Sequence, residues 1–136
     1  MKTSNIIEAT AELLTKARLQ NCLVDEIPQT ILPSSLEEAY AIQQRLIEIL
    51  DWEIGGWFCG CTNKAAQSML NLNEPYYACL FESYIFESGK VLNATECPPI
   101  FLECEFAFRL RYSLPPKKNL IPGLRLSLRS ILYTRP

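Results

Sequence analysis

Gly56-Trp-Phe-Cys-Gly-Cys-Thr-Asn-Lys-Ala-Ala-Gln67 changes character halfway along. Trp57 to Cys61 is short, apolar and bounded by glycine, which reads as a buried strand. Thr62 and Asn63 follow as helix-capping residues, and Lys64 to Leu70 can then turn as a short helix. The stretch therefore predicts strand, turn and short helix. Upstream, the pattern is helical until Gly55-Gly56 breaks it. Ser35-Leu-Glu-Glu38 has the spacing of a capping box, and apolar residues at 36, 39, 40, 46, 47 and 50 predict an amphipathic helix to about Leu50. Apolar residues at 6, 7, 11, 13, 14 and 17 predict another over Ser4 to Leu19, capped by Thr3 or Ser4. Between the two, Asn21 to Pro33 has no period and reads as a loop.

Downstream, the signals become those of strands and turns. Asn71 to Tyr77 is turn-rich, and Ala78 to Phe86 is apolar and aromatic, suited to a strand or to irregular packed chain. Glu87-Ser-Gly-Lys90 has hairpin-turn chemistry, with Val91-Leu92 resuming the chain beyond it. Leu124-Arg-Leu-Ser-Leu-Arg129 alternates as a strand does, between Pro122-Gly123 and a terminal proline. Helices first and strands after them indicate an α+β fold.

Ile100-Phe-Leu-Glu-Cys-Glu-Phe-Ala-Phe-Arg-Leu110 predicts the strand with most chemical content. Alternation sends Glu103, Glu105 and Ala107 to one side and Cys104, Phe106, Phe108 and Leu110 to the other. At ~3.3 Å per residue the two carboxylates stand about 7 Å apart, and they can converge on one hard divalent cation such as Mg²⁺ or Mn²⁺. The alternative is a half-solvated strand whose outer face is acidic.

Composition sets the frame for these motifs. The chain has 136 residues, 49% of them apolar, enough for one domain with a sizeable core. Its formal charge of -2 hides an asymmetry. Residues 1–116 carry all 15 acidic residues against 8 basic ones, whereas 117–136 carry 5 basic residues and no acid. An acidic body with a short basic tail is a poor fit to nucleic-acid binding. No apolar run reaches membrane-spanning length. The opening Met-Lys-Thr-Ser-Asn lacks the apolar core of a secretory signal, so the six cysteines predict a reduced, cytoplasmic protein. Cys59-Gly60-Cys61 is too tight for a zinc knuckle, and without any histidine there is no imidazole chemistry.

Several of these motifs occur in a familiar order. Ser35-Leu-Glu-Glu-Ala-Tyr-Ala-Ile-Gln43 resembles a helix pattern ending A-Y-x-x-Q, and Gly56 to Gln67 resembles G-x-K-I-G-x-T-[SN]-K-x-x-Q. Asn73-Glu-Pro-Tyr-Tyr77 resembles D-[EQ]-P-x-[FY], and the acidic strand resembles E-x-E-[IF]-A-F. Together, over residues 6–116, they are similar to the N-terminal half of the 2-keto-4-pentenoate hydratases. That family includes 2-oxohept-3-enedioate hydratase and 4-oxalocrotonate decarboxylase and lies in the fumarylacetoacetate hydrolase superfamily. The resemblance implies N-terminal helices followed by a mixed β-sheet, left incomplete here. It also implies a hydro-lyase or decarboxylase of a short 2-oxo acid or dienoate, working with Mg²⁺ or Mn²⁺. On this mapping Glu103 and Glu105 are metal ligands, Thr62 and Lys64 catalytic residues, and Asn63, Gln67 and Asn73 substrate-binding residues.

Three departures qualify the resemblance. Position 58, a lysine in the family pattern, is Phe58 here, and Asn73 stands where aspartate is frequent. Phenylalanine offers neither charge nor donor, so a step relying on that lysine loses several kcal/mol of stabilisation. Relatives also continue into a further sheet with another acidic ligand, whereas no acid follows Glu105 here and the family likeness stops at about Asn119. The expectation is a hydratase-like part over 1–116 and an unrelated basic tail over 117–136, the product of a shifted frame or deletion. Such a chain is a truncated, impaired relative with an uncovered apolar face. The alternatives are an active hydratase or decarboxylase, and a non-catalytic subunit that pairs with a complementing second chain; the resemblance also implies a homo-oligomer. Translation of the DNA downstream in the other frames should yield a family-like continuation, and its absence from every frame overturns the shifted-frame reading.

Overall fold

The computed structural model describes residues 2–97, 103–111 and 131–134. Their order is α1 (Lys2–Leu19), α2 (Leu36–Leu50), β1 (Ile54–Gly60), α3 (Lys64–Met69), β2 (Tyr76–Phe81), β3 (Cys104–Ala107) and β4 (Ile131–Thr134), with short 3₁₀ turns at Glu82–Tyr84 and Ala94–Glu96. The architecture is α+β. α1 and α2 pack on each other, and β1 pairs antiparallel with β2.

α2 begins where the capping box places it. Ser35 has extended backbone and its hydroxyl accepts from the Glu38 N–H at 3.2 Å. The return bond differs from the expected box, because the Glu38 carboxylate accepts from the N–H and the hydroxyl of Ser34, at 2.7 and 2.8 Å. These bonds hold the Glu38 carboxyl below its usual range. At its far end α2 stops at Asp51, in the left-handed conformation that Asx residues tolerate. α1 includes Lys2, so Thr3 and Ser4 lie inside its first turn rather than capping it.

The buried apolar cluster is Ala11 from α1, Ile42, Leu46 and Leu50 from α2, and Phe81 from β2. Ile42, outside the apolar set marked in the sequence, is only 4% exposed because it shares the i, i+4, i+8 row with Leu46 and Leu50. α1 adds Thr10 and Thr15, both buried. The Thr10 hydroxyl donates to the Ile31 carbonyl, which ties the 20–35 loop to the helix. Arg45 forks onto Glu8 across the helix pair, Nε to Oε2 at 2.7 Å and Nη2 to Oε1 at 2.9 Å.

In the β1–β2 pair Trp57 faces Cys79, Cys59 faces Tyr77 and Gly60 faces Tyr76. A register shift between Ile54 and Gly56 absorbs one residue as a bulge, so Gly55 and Gly56 lie within the strand instead of before it. Gly60 permits a close approach, since a Cβ there would run into the Tyr76 ring. β1 is not the buried strand expected: Trp57 is 56% exposed, and within the buried apolar cluster the sheet is represented by Phe81 of β2 and by no residue of β1. Tyr76 and Tyr77 belong to β2 rather than to the preceding loop.

Further corrections concern the second half. The Glu87–Lys90 turn forms, with Gly89 at a φ of 88° and the Lys90 N–H donating to the Glu87 carbonyl, yet Val91-Leu92 continue without a strand. The strands of the described residues form two antiparallel pairs, β1–β2 and β3–β4. The apolar side of β3 is uncovered, with Phe106 84% exposed. The strand expected over 124–129 lies outside the described residues, as does most of 117–136 apart from β4.

The Glu8 carboxyl is held below its usual 4.5, chiefly by its hydrogen bonds to Arg45. A carboxyl lowered in the folded state stabilises fully above pH 4.5 and loses that contribution as the pH falls below it. Unfolding temperatures followed on acidification below pH 4.5 should fall more steeply for the unsubstituted chain than for Glu8→Gln. Parallel profiles would show that this half-exposed pair contributes nothing.

Candidate functional site

β1 ends at Gly60, and the chain changes direction through Cys61, whose φ of 54° is left-handed. Asn21, Asp51 and Asn71 share that conformation, and all are Asx residues just beyond a helix. Cys61 is neither Asx nor glycine, so its conformation costs on the order of 1–2 kcal/mol. Gln67 offsets that cost. Its side-chain amide donates from Nε2 to the Cys61 carbonyl at 2.8 Å.

α3 starts inside this turn. Asn63 has extended backbone and its Oδ1 accepts from the Ala66 N–H at 2.9 Å, as expected of the cap. Lys64 opens the helix, and its ammonium donates to Gln67 Oε1 at 3.0 Å. Gln67 is 5% exposed and uses both ends of its amide within the turn. Thr62 and Lys64 are exposed. Thr62, Asn63, Lys64 and Gln67 are thus brought together, with a cation that keeps further N–H directions for an anionic group.

Other predicted residues stand apart from this cluster. Asn73 is exposed in the loop between α3 and β2. Glu103 immediately precedes β3, and Glu105 lies in it opposite Tyr133; both are exposed. Among the described residues no hydrogen bond or ion pair links either glutamate to the Thr62–Gln67 turn, and no three His, Cys, Asp or Glu side chains form a metal-binding group. The donor chemistry nonetheless suits Mg²⁺, which is commonly held by one or two carboxylates together with water and substrate oxygens. Phe58 pairs with Ala78 and sets its ring 6.1 Å from that of Tyr76.

Two residues of the A-Y-x-x-Q pattern, Tyr40 and Gln43, tie α2 to β2. Gln43, the last residue of the A-Y-x-x-Q pattern, accepts the Cys79 N–H at 3.0 Å and so bolts α2 to β2. Tyr40 stacks on Tyr77 at 4.3 Å, and Trp57 meets Tyr77 edge-on at 5.6 Å. A tyrosine and a glutamine three apart on one helix face were the available signal, but nothing local says which strand they meet. All six cysteines are free, and burial pushes the Cys79 thiol up, away from thiolate reactivity. An open cleft of about 700 Å³ lies elsewhere, lined by Asp51, Trp52, Glu53, Glu82, Ser83 and Tyr84, and it contains none of the predicted site residues.

A scan against protein-family models finds no match to this chain, and searches of curated proteins and of solved structures find none either.

Asn63→Ala removes the oxygen that caps α3. It should lower unfolding stability by about 1 kcal/mol in urea titrations. An unchanged midpoint would mean that the cap bond does not persist in solution.

Proposed function

We propose that this chain is a relative of the metal-dependent 2-keto-4-pentenoate hydratases in which the reaction is impaired. The observation that carries the reading is the Thr62–Gln67 turn: residues selected from the motif T-[SN]-K-x-x-Q stand together at the end of β1, with Lys64 exposed. The order of the other motifs along the chain supports it, and so does the α+β element order. The finer fold proposed is the mixed sheet of fumarylacetoacetate hydrolase-like proteins, and the setting is the cytoplasm.

The substrate class is a short 2-oxo acid or 2-hydroxy-2,4-dienoate. Lys64 would receive a carboxylate oxygen of such an acid, and the Thr62 hydroxyl would donate to a neighbouring oxygen. Glu103 and Glu105 would hold Mg²⁺ or Mn²⁺. The cation, when bound, supplies polarisation of the 2-oxo oxygen. Phe58 takes no part in proton transfer, and its ring packs toward Tyr76 where the family pattern has a cation. Binding is therefore expected to survive better than turnover, because orientation and charge neutralisation persist while one donor is missing.

A second reading, a non-catalytic subunit that pairs with another chain, is favoured by one observation. Phe106 in β3 and Phe108 and Leu110 just beyond it are 84%, 50% and 46% exposed, apolar surface that another polypeptide could cover. Recovery of a hydratase-like partner on purification separates it from the first.

Thermal unfolding with Mg²⁺ and oxalate, a mimic of the chelating enolate, tests the first reading. At a ligand concentration 100 times Kd the folded state gains about 2.7 kcal/mol, and the midpoint rises. Glu103→Gln and Glu105→Gln should each abolish the rise. No rise in the unsubstituted chain overturns the proposal.

A further inference from the structure

We propose that Gln67 is a positioning residue, setting the place of the Lys64 ammonium through one buried side chain, rather than a residue that touches substrate. The inference rests on the reading of Lys64 as a substrate-facing cation. Gln67 is 5% exposed, so its amide is not presented to a ligand. Its Nε2 donates to the Cys61 carbonyl at 2.8 Å and its Oε1 accepts from Lys64 Nζ at 3.0 Å. The two bonds divide the work. One holds Cys61, the left-handed residue just beyond β1, and the other removes rotamer freedom from a long side chain. Backbone bonds fix Gln67 itself: its N–H donates to the Asn63 carbonyl at 3.1 Å, and its carbonyl accepts from the Leu72 N–H at 2.8 Å. Spacing accounts for the residue type. Three positions beyond Lys64 on a helix, a glutamine reaches both the ammonium and the preceding turn, whereas a shorter amide would not span both.

The test uses the full chain as Gln67→Met, Lys64→Met and the double variant, with two readouts. The first is the NMR order parameter of the Lys64 side chain, which needs no ligand. It should be high in the unsubstituted chain and fall below about 0.6 in Gln67→Met. A Lys64 already mobile in the unsubstituted chain overturns the inference. Should Gln67→Met fail to fold, Gln67→Glu keeps an acceptor for Lys64 and drops the donor to Cys61. Lys64 should stay ordered there, and disorder would overturn the inference.

The second readout is Mg²⁺–oxalate affinity by calorimetry. Lys64→Met should weaken it about tenfold, as expected of a lost charged hydrogen bond. Gln67→Met should weaken it in the unsubstituted background and add nothing once Lys64 is methionine. An equal loss in both backgrounds would show that Gln67 acts through the fold alone. Absence of Mg²⁺–oxalate binding by the unsubstituted chain overturns the hydratase reading instead, and the order parameter then decides the Gln67 inference by itself.

Discussion

Phe81 joins the two halves of the described fold. Among the described residues it is the sheet residue in the buried apolar cluster, 2% exposed against Ala11, Ile42, Leu46 and Leu50. A two-stranded antiparallel pair is marginal alone, so β1 and β2 persist because β2 ends in a side chain that the helices enclose. Other groups close around the same ring: Trp52 meets it edge-on at 5.3 Å, and the Arg18 guanidinium lies over it at 5.3 Å. Losing a buried phenylalanine costs about 3–5 kcal/mol, a large share of the roughly 5–15 kcal/mol that holds a domain together. The Gln43 bond to the Cys79 N–H then fixes the angle at which β2 leaves the core.

That dependence decides where the candidate site can be rigid. The Thr62–Gln67 turn follows directly from β1, and β1 is registered on β2 up to Gly60 opposite Tyr76. The turn therefore inherits its position from Phe81 and its shape from local bonds. The acidic strand has no such anchor, since β3 is four residues long and the side chains on its apolar face are exposed. Two exposed carboxylates, one in a short strand and one just before it, keep more side-chain freedom than Lys64 does, and a cation bound there would have to order them.

Legibility in the sequence followed the range of the interaction. α2 and α3 were readable from Ser35 and Asn63, because a cap bond spans three residues and leaves its partners in plain order. The α1 start was misread because Thr3 and Ser4 have cap chemistry yet lie inside the helix. Ile42 was passed over where the sequence offered a choice of helix faces, and the face was settled by contact with Ala11 and Phe81. β1 read as buried from its apolar composition, but burial depends on what covers a strand, and composition is silent on that. Phe81 itself carried no local mark. Its importance comes from meeting helices more than thirty residues away, and no window of sequence contains that meeting.

The same division applies to the site. Asn63, Lys64 and Gln67 could be grouped from the motif because a helical turn enforces their proximity, though not which of them faces outward. Gln67 is the buried member of the group, which the motif alone does not reveal. A buried amide must have its donor and acceptor satisfied, and here the chain satisfies them with the Cys61 carbonyl and the Lys64 ammonium. Thr62 and Lys64 are exposed beside it. The ring of Phe58 lies on the strand, 6.1 Å from that of Tyr76, and none of the side-chain bonds of this turn involves it. On the proposed reading, a phenylalanine where the motif has lysine can therefore weaken a chemical step while leaving the geometry of the neighbouring turn intact.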